Sequence, residues 1–215
     1  MSRSLYLFLS ICLACVLVTT GCRKDSEDNP VNPGTNKPTV LTTIAGIVSD
    51  ENGNALSGIT GSTHGKTAVS NQYGLFVVKD VRVPQDRCFI LARKDGYFTA
   101  SRAEVPKANG VTNMRLSMMT NPANYSVSAS AGGTVNISGG GIVEFPANGF
   151  STESGQPYTG TVKVAARWLN PSSKTFYDFF PGDFTATRTD GSETLLYSYG
   201  VLNVELYSTT GAKVK

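Results

Sequence analysis

Aromatic side chains that could bind a ligand are concentrated in one stretch, WLNPSSKTFYDFFPGDF, residues 168–184. If exposed, such rings would stack on sugars or fill a pocket of a partner protein, with Asp178 or Asp183 accepting hydrogen bonds. Alternatively, the rings close the end of a hydrophobic core, since aromatic side chains bury large apolar areas. The candidate ligand-binding residues are Trp168, Phe176, Tyr177, Phe179 and Phe180.

Catalytic and metal-binding patterns are weak elsewhere. The single histidine, His64, cannot form a triad or a metal cluster without several partners, and we expect it to lie solvated in a loop. The stretch GITGSTHGKT ends in Gly-Lys-Thr, but Thr60 stands where a phosphate-binding loop requires glycine. We therefore predict a protein that is not an enzyme and has no cofactor.

Asp50, Asn52 and Asn54 occupy the first, third and fifth positions of a possible calcium loop. Ala55 and Gly61 then stand where that loop needs glycine and glutamate. A hairpin turn at Asn52-Gly53 is the better interpretation, and no metal site is predicted.

The N-terminal residues have the proportions of an export signal. Arg3 is followed by an uncharged apolar run from Leu5 to Val18, which is too short to span a bilayer comfortably. Small residues then precede Cys22, and a charged, proline-marked segment begins at Arg23. An ordinary cleaved signal peptide with an incidental cysteine is the alternative to an anchor.

The segment Val18-Thr19-Thr20-Gly21-Cys22 resembles the lipobox of bacterial lipoproteins, with Thr19 where leucine is usual. The resemblance implies cleavage after Gly21 and a diacylglycerol on Cys22, so that residues 1–21 are a signal peptide. Several acyl chains on one cysteine would hold the protein durably at a membrane.

Residues 22–40 are rich in proline and polar residues and predict a disordered tether. The acidic stretch after Cys22 resembles the lipoprotein export signal of Bacteroidetes. That resemblance implies an outer-membrane protein exposed at the cell surface, whereas a generic solvated linker is the alternative.

The net charge and the cysteine content limit the kinds of partner and bond that the sequence predicts. Removal of residues 1–21 takes away Arg3 and leaves 18 basic and 16 acidic side chains, too small an excess to predict nucleic-acid binding. Cys88 is then the one cysteine besides Cys22, and its apolar neighbours predict a buried, inert thiol.

Beyond residue 40 the pattern is all-β. Short β-branched and aromatic segments alternate with turn residues about every 8 to 12 positions, which predicts tandem β-sandwiches. We assign residues 41–119 to the first sandwich and 120–215 to the second. In the first, Met114, Leu116 and Met118 alternate; in the second, Val162, Val164 and Ala166 should share one face.

The first of these sandwiches resembles the carboxypeptidase regulatory-like domain. The resemblance implies a seven-stranded, transthyretin-like β-sandwich that is a non-catalytic accessory. The matching residues are Gly46, Val48, Asp50, Gly53, Leu56, Gly58, Gly74, Phe76, Gly96 and Tyr97.

The second sandwich weakly resembles ZU5-type β domains through its Gly-Gly strand and the segment from Ile142 to Phe150. Lys215 comes four residues into a returning strand, so we expect an unpaired sheet edge and a natural chain that continues.

Together these patterns predict a lipid-anchored binding module for glycan or protein ligands. The alternative function is a structural spacer or scaffold subunit of an outer-membrane complex.

Overall fold

The computed structural model describes residues 37–215, which belong to one compact unit. The predicted signal peptide with its cleavage site, the predicted lipidation site Cys22 and most of the predicted tether lie outside the described residues. Within residues 37–215, no helix is both long enough and apolar enough to cross a membrane. The described chain is mostly β, as predicted.

The first seven strands form a β-sandwich. They are β1 (Thr39–Ser49), β2 (Thr60–Thr63), β3 (Lys66–Val69), β4 (Leu75–Pro84), β5 (Cys88–Arg93), β6 (Ala100–Glu104) and β7 (Val111–Ser117). One sheet has the order β4-β1-β7 and the other β3-β2-β5-β6. β1 begins two residues before the predicted boundary at 41, so the predicted tether ends in strand.

The core of this first sandwich lies between its two sheets. Alternate side chains of each strand point inward, because successive residues of a strand face opposite sides of the sheet. The predicted alternation of Met114, Leu116 and Met118 is confirmed, since all three are buried in this core with Ile44 and Ile90.

The turn after β1 explains the calcium-like spacing. The carboxylate of Asp50 accepts hydrogen bonds of 2.8 Å from the backbone N–H groups of Asn52 and Asn54. The side-chain amide of Asn54 also donates a hydrogen bond to this carboxylate. That bond, together with the two backbone bonds, holds the pKa of Asp50 below its usual value. Gly53 takes a φ of +82°, and the predicted hairpin turn is confirmed.

The second group of strands surrounds a separate core. It contains β8 (Tyr125–Ser128), β9 (Gly133–Asn136), β10 (Ile142–Phe145), β11 (Thr161–Leu169), β12 (Thr185–Thr187), β13 (Glu193–Leu195), β14 (Val201–Tyr207) and β15 (Lys213–Val214). The main sheet has the order β15-β14-β11-β8, and β9 pairs with β10. Val162, Val164 and Ala166 share its buried face, as predicted.

The prediction of an unpaired edge at the returning strand is wrong. β15 pairs with β14 on one side. On its other side, Lys215 exchanges two backbone hydrogen bonds with Ser151, of 2.7 and 2.8 Å. The loop that contains Ser151 therefore covers this edge.

A third cluster joins the two sandwiches. Phe98 belongs to the first sandwich, and Met119 follows the last strand of that sandwich. Ala165 and Leu169 come from the outer face of β11. The single-turn helix α1 (Phe176–Phe179) completes the cluster through Phe176. One face of β11 thus packs in the second core, while its other face packs toward the first sandwich.

Candidate functional site

The predicted aromatic stretch divides into buried and exposed side chains. Phe176 is 4% exposed and Phe180 is 8% exposed, and both belong to the cluster that joins the sandwiches. Phe180 stacks on Phe184 with ring centroids 3.8 Å apart. The rings of Phe176 and Phe180 are therefore core residues and offer no free face to a ligand. This agrees with the alternative interpretation, in which the aromatic stretch closes a hydrophobic core.

Trp168 and Phe179 are also engaged in packing. Trp168 is partly buried against the second core, and its ring lies directly on the backbone of Gly200. Phe179 is partly buried against the joining cluster. Neither ring stands free on the surface.

Tyr177 is the exposed member of the predicted set, with 64% of its surface accessible. It lies on α1 between two residues of the joining cluster, Phe176 and Phe179. Its ring centroid is 5.0 Å from that of Phe184.

Two further tyrosines were not predicted as site residues. Tyr197 and Tyr199 follow the β12–β13 hairpin and are 93% and 92% exposed. The N–H of Leu196 donates to the carbonyl oxygen of Phe184 at 2.7 Å, so this segment begins beside the ring that Tyr177 contacts. We call Tyr177, Tyr197 and Tyr199 the tyrosine surface.

The first sandwich holds this region in place through two arginines. The guanidinium of Arg102 donates to the carbonyl oxygens of Tyr177 and Asp178 at 3.2 Å. Arg87 forms an ion pair of 3.2 Å with Asp183 and one of 3.5 Å with Glu193 on β13. Both the short helix and the hairpin are therefore tied to the neighbouring sandwich.

Chemically, the tyrosine surface offers amphipathic rings. Each ring has an apolar face that can stack and a hydroxyl that can donate or accept a hydrogen bond. Exposed leucines, Leu195 and Leu196, lie beside them. Such a surface can bind a ligand that has both apolar faces and hydroxyl groups.

The other chemically capable residues have structural roles. His64 forms the β2–β3 turn and is partly buried rather than solvated, with its ring centroid 4.8 Å from that of Phe89. Burial lowers the pKa of His64.

The prediction of a buried Cys88 thiol is confirmed, and burial, the largest cause, raises its pKa to about 11. Residues 37–215 contain no group of three or more His, Cys, Asp or Glu side chains that could hold a metal ion.

No protein-family model and no curated protein matches the chain. Several solved structures are distantly similar, among them the following two. One is an N-terminal interface mutant of a type II cohesin–X-dockerin complex from Acetivibrio cellulolyticus, with a TM-score of 0.30 and 21% identity over 37% of this chain and 58% of that chain. The other is the TIE protein of Bacillus anthracis, with a TM-score of 0.32 and 8% identity over 79% of this chain and 45% of that one. The chain thus spans less than two thirds of either protein, and no function follows from such distant likenesses.

Proposed function

We propose that this chain is a lipid-anchored envelope protein that binds a polysaccharide through its tyrosine surface, without catalysis. The observation that carries the proposal is the exposure of Tyr197 and Tyr199. Aromatic rings usually lie in cores or interfaces, and a group of exposed rings marks a surface used for binding. The three tyrosines of this surface provide stacking faces with hydroxyl groups at their edges.

The binding prediction is tested by replacing Tyr197 and Tyr199 with alanine together. We expect the double variant to lose at least about fivefold in affinity, because each substitution removes a stacking face worth roughly 0.5–1.5 kcal/mol. Binding is measured by pull-down on insoluble chitin and cellulose and by electrophoresis through gels that contain xylan or mannan. Tyr177→Ala should weaken the same interaction.

A matched control is Tyr73→Ala, because Tyr73 is also exposed but lies in a turn of the first sandwich. This variant should bind as the unaltered protein does. Equal binding by the double variant and by Tyr73→Ala would contradict a role for the tyrosine surface. Binding of none of the four polysaccharides would contradict the proposed function itself.

The anchor is proposed from the lipobox resemblance, which puts the acyl chains on Cys22. We expect Cys22→Ser to release the protein from the membrane fraction. Serine has no thiol that could form the thioether with the diacylglycerol, so the acyl chains that would hold the protein at the membrane are not attached. Fractionation and mass spectrometry of the N-terminal peptide measure this. An unacylated peptide from the unaltered protein would contradict the anchor, and protease treatment of intact cells would show whether the domains face outward.

A structural spacer or scaffold is the second candidate function. The joining cluster and the ion pair between Arg167 and Glu51 favour it, because they connect the two sandwiches over both apolar and charged contacts. A rigid pair of modules can hold a partner at a fixed distance from the membrane. Co-purification of an envelope protein from cross-linked cells, unaffected by the tyrosine variants, would favour this function over glycan binding.

A further inference from the structure

A cleft of about 620 Å³ lies between the two sandwiches, and none of the residues that line it belongs to the tyrosine surface. One wall is the β5–β6 turn of the first sandwich, from Arg93 to Thr99. The floor belongs to the second sandwich and contains Lys163, Tyr207 and Lys213. Its volume is within the range of sites that bind small molecules.

The floor residues form a row across three neighbouring strands. Lys163 on β11 is directly opposite Tyr207 on β14, and Tyr207 is directly opposite Lys213 on β15. Residues opposite each other in paired strands point to the same face. Since neighbouring strands are about 4.8 Å apart, the two lysine backbones are roughly 10 Å apart, with the tyrosine between them.

The cleft carries more positive than negative charge, since Arg93, Lys94, Lys163 and Lys213 line it with two carboxylates, Asp95 and Glu205. Among the described residues, neither Lys163 nor Lys213 has an ion-pair or hydrogen-bond partner for its ammonium group. By contrast, Lys94 donates to the carbonyl oxygen of Ser57 at 2.5 Å. Two ammonium groups are thus available on the floor of one cleft, where an anion would satisfy both.

A fixed hydrogen-bond network stands beside these lysines. The buried side chain of Asn121 donates to the Glu205 carboxylate at 2.6 Å and approaches the Tyr207 hydroxyl at 2.7 Å. The Tyr207 hydroxyl itself donates to Glu205. Burial, the largest cause, and the Glu205 carboxylate raise the pKa of Tyr207, so the phenol stays protonated. Both bonds reach the same oxygen of Glu205, Oε2, and hold this carboxylate beside Tyr207.

The cleft is also pre-formed by the backbone. The N–H of Asn121 donates to the carbonyl oxygen of Gly96 at 3.1 Å, which ties the link between the sandwiches to the β5–β6 turn. A cleft whose walls are held before binding costs less ordering entropy when a ligand enters.

The lining indicates what kind of ligand the cleft suits. It contains hydroxyl groups from Thr99, Ser208 and Thr209 and has no aliphatic side chain larger than that of Ala123. The rings of Tyr97 and Tyr207 supply its apolar surface, and flat rings of this kind can pack against the faces of a sugar. Many hydroxyl groups with two available cations instead suit a ligand rich in hydroxyls that also carries negative charge.

We propose that this cleft binds an acidic oligosaccharide, with sugar carboxylates paired to the ammonium groups of Lys163 and Lys213. The roughly 10 Å spacing of the two strands lets the lysines reach carboxylates on different rings of the oligosaccharide, since each uronate ring carries one. The Tyr207 ring lies between them and can face the sugar.

The test is calorimetric titration of the purified protein with trigalacturonate. We expect binding that weakens as salt is raised, because the ammonium groups are exposed and screened by ions. Lys163→Gln combined with Lys213→Gln should lower the affinity at least about tenfold, since two charge-assisted contacts are lost. Glutamine removes the charge but leaves a polar, unbranched side chain at each exposed position, so the fold is retained, and thermal unfolding verifies this.

Lys79→Gln is the matched control, because Lys79 is an exposed strand lysine of the first sandwich. It should bind trigalacturonate as the unaltered protein does. The Tyr197→Ala/Tyr199→Ala variant is titrated in parallel, to separate the cleft from the tyrosine surface. The proposal is overturned if the lysine double variant matches the control, if neutral trigalactose or inorganic phosphate binds equally well, or if no trigalacturonate binds. Loss of binding in the tyrosine variant would place the sugar on the tyrosine surface and would likewise overturn the cleft.

Discussion

Replacing Phe176 with alanine is expected to lower the free energy of unfolding by roughly 3–5 kcal/mol. Phe176 is buried in the cluster that joins the sandwiches, and its ring contacts those of Phe180 and Phe184 at centroid distances of 5.5 and 5.9 Å. Alanine would leave a cavity at this joint, because the Arg102 hydrogen bonds hold α1 in place and limit its collapse.

Urea unfolding followed with two probes measures this effect. Trp168 is the single tryptophan and packs against the second core, so its fluorescence reports the second sandwich, whereas circular dichroism reports the strands of both. We expect coincident transitions in the unaltered protein and separate transitions in Phe176→Ala, since the variant weakens the contact that couples the two cores.

Tyr177→Ala is the control, because this neighbouring residue on the same helix is largely exposed. Its free energy of unfolding should change by no more than about 0.5 kcal/mol. If the two variants were equally stable, the ring of Phe176 would not contribute to the joint as its burial indicates.

The strands could be predicted because burial on one face produces a period of two. Val162, Val164 and Ala166 point into the second core, and the intervening Lys163 points away from it. The same reasoning succeeds for β7. It fails for α1, since a helix of one turn is too short to show a period of 3.6.

The joint between the sandwiches could not be predicted in this way. Ala165 and Leu169 are buried on the face of β11 that the period of two assigns to solvent, because the first sandwich and α1 cover that face. A sheet buried on both faces loses its alternation, and the sequence does not show which neighbour covers it.

The candidate site illustrates the same difficulty. Phe176 and Tyr177 are adjacent aromatic residues, yet one is buried and the other exposed, and the orientation of a single helical turn decides which. Tyr197 and Tyr199 follow the two leucines that end the β13 region, and an alternating Tyr-Ser-Tyr pattern favours a half-buried strand. The strand instead ends at Leu195, and both tyrosines remain exposed.

Gly74→Ala is expected to lower the free energy of unfolding by roughly 2–5 kcal/mol. Gly74 has a φ of +72°, and its carbonyl oxygen accepts a 2.9 Å hydrogen bond from the N–H of Val48. A methyl group on Gly74 would lie 2.3 Å from the carbonyl oxygen of Val48, which itself accepts a 3.0 Å bond from Leu56. The left-handed conformation costs roughly 1–2 kcal/mol for alanine. Displacing a buried backbone hydrogen bond costs roughly 1–3 kcal/mol more.

Gly53→Ala separates the two contributions, because Gly53 has a similar φ of +82° but no atom within 4 Å of the added methyl group. It should cost only the conformational part, about 1–2 kcal/mol. Urea midpoints of the two variants, measured under the same conditions, give the difference, which is the cost of the close approach between the Gly74 turn and β1. Equal midpoints would mean that the turn moves away from Val48 without loss, and that the first sandwich does not depend on this contact.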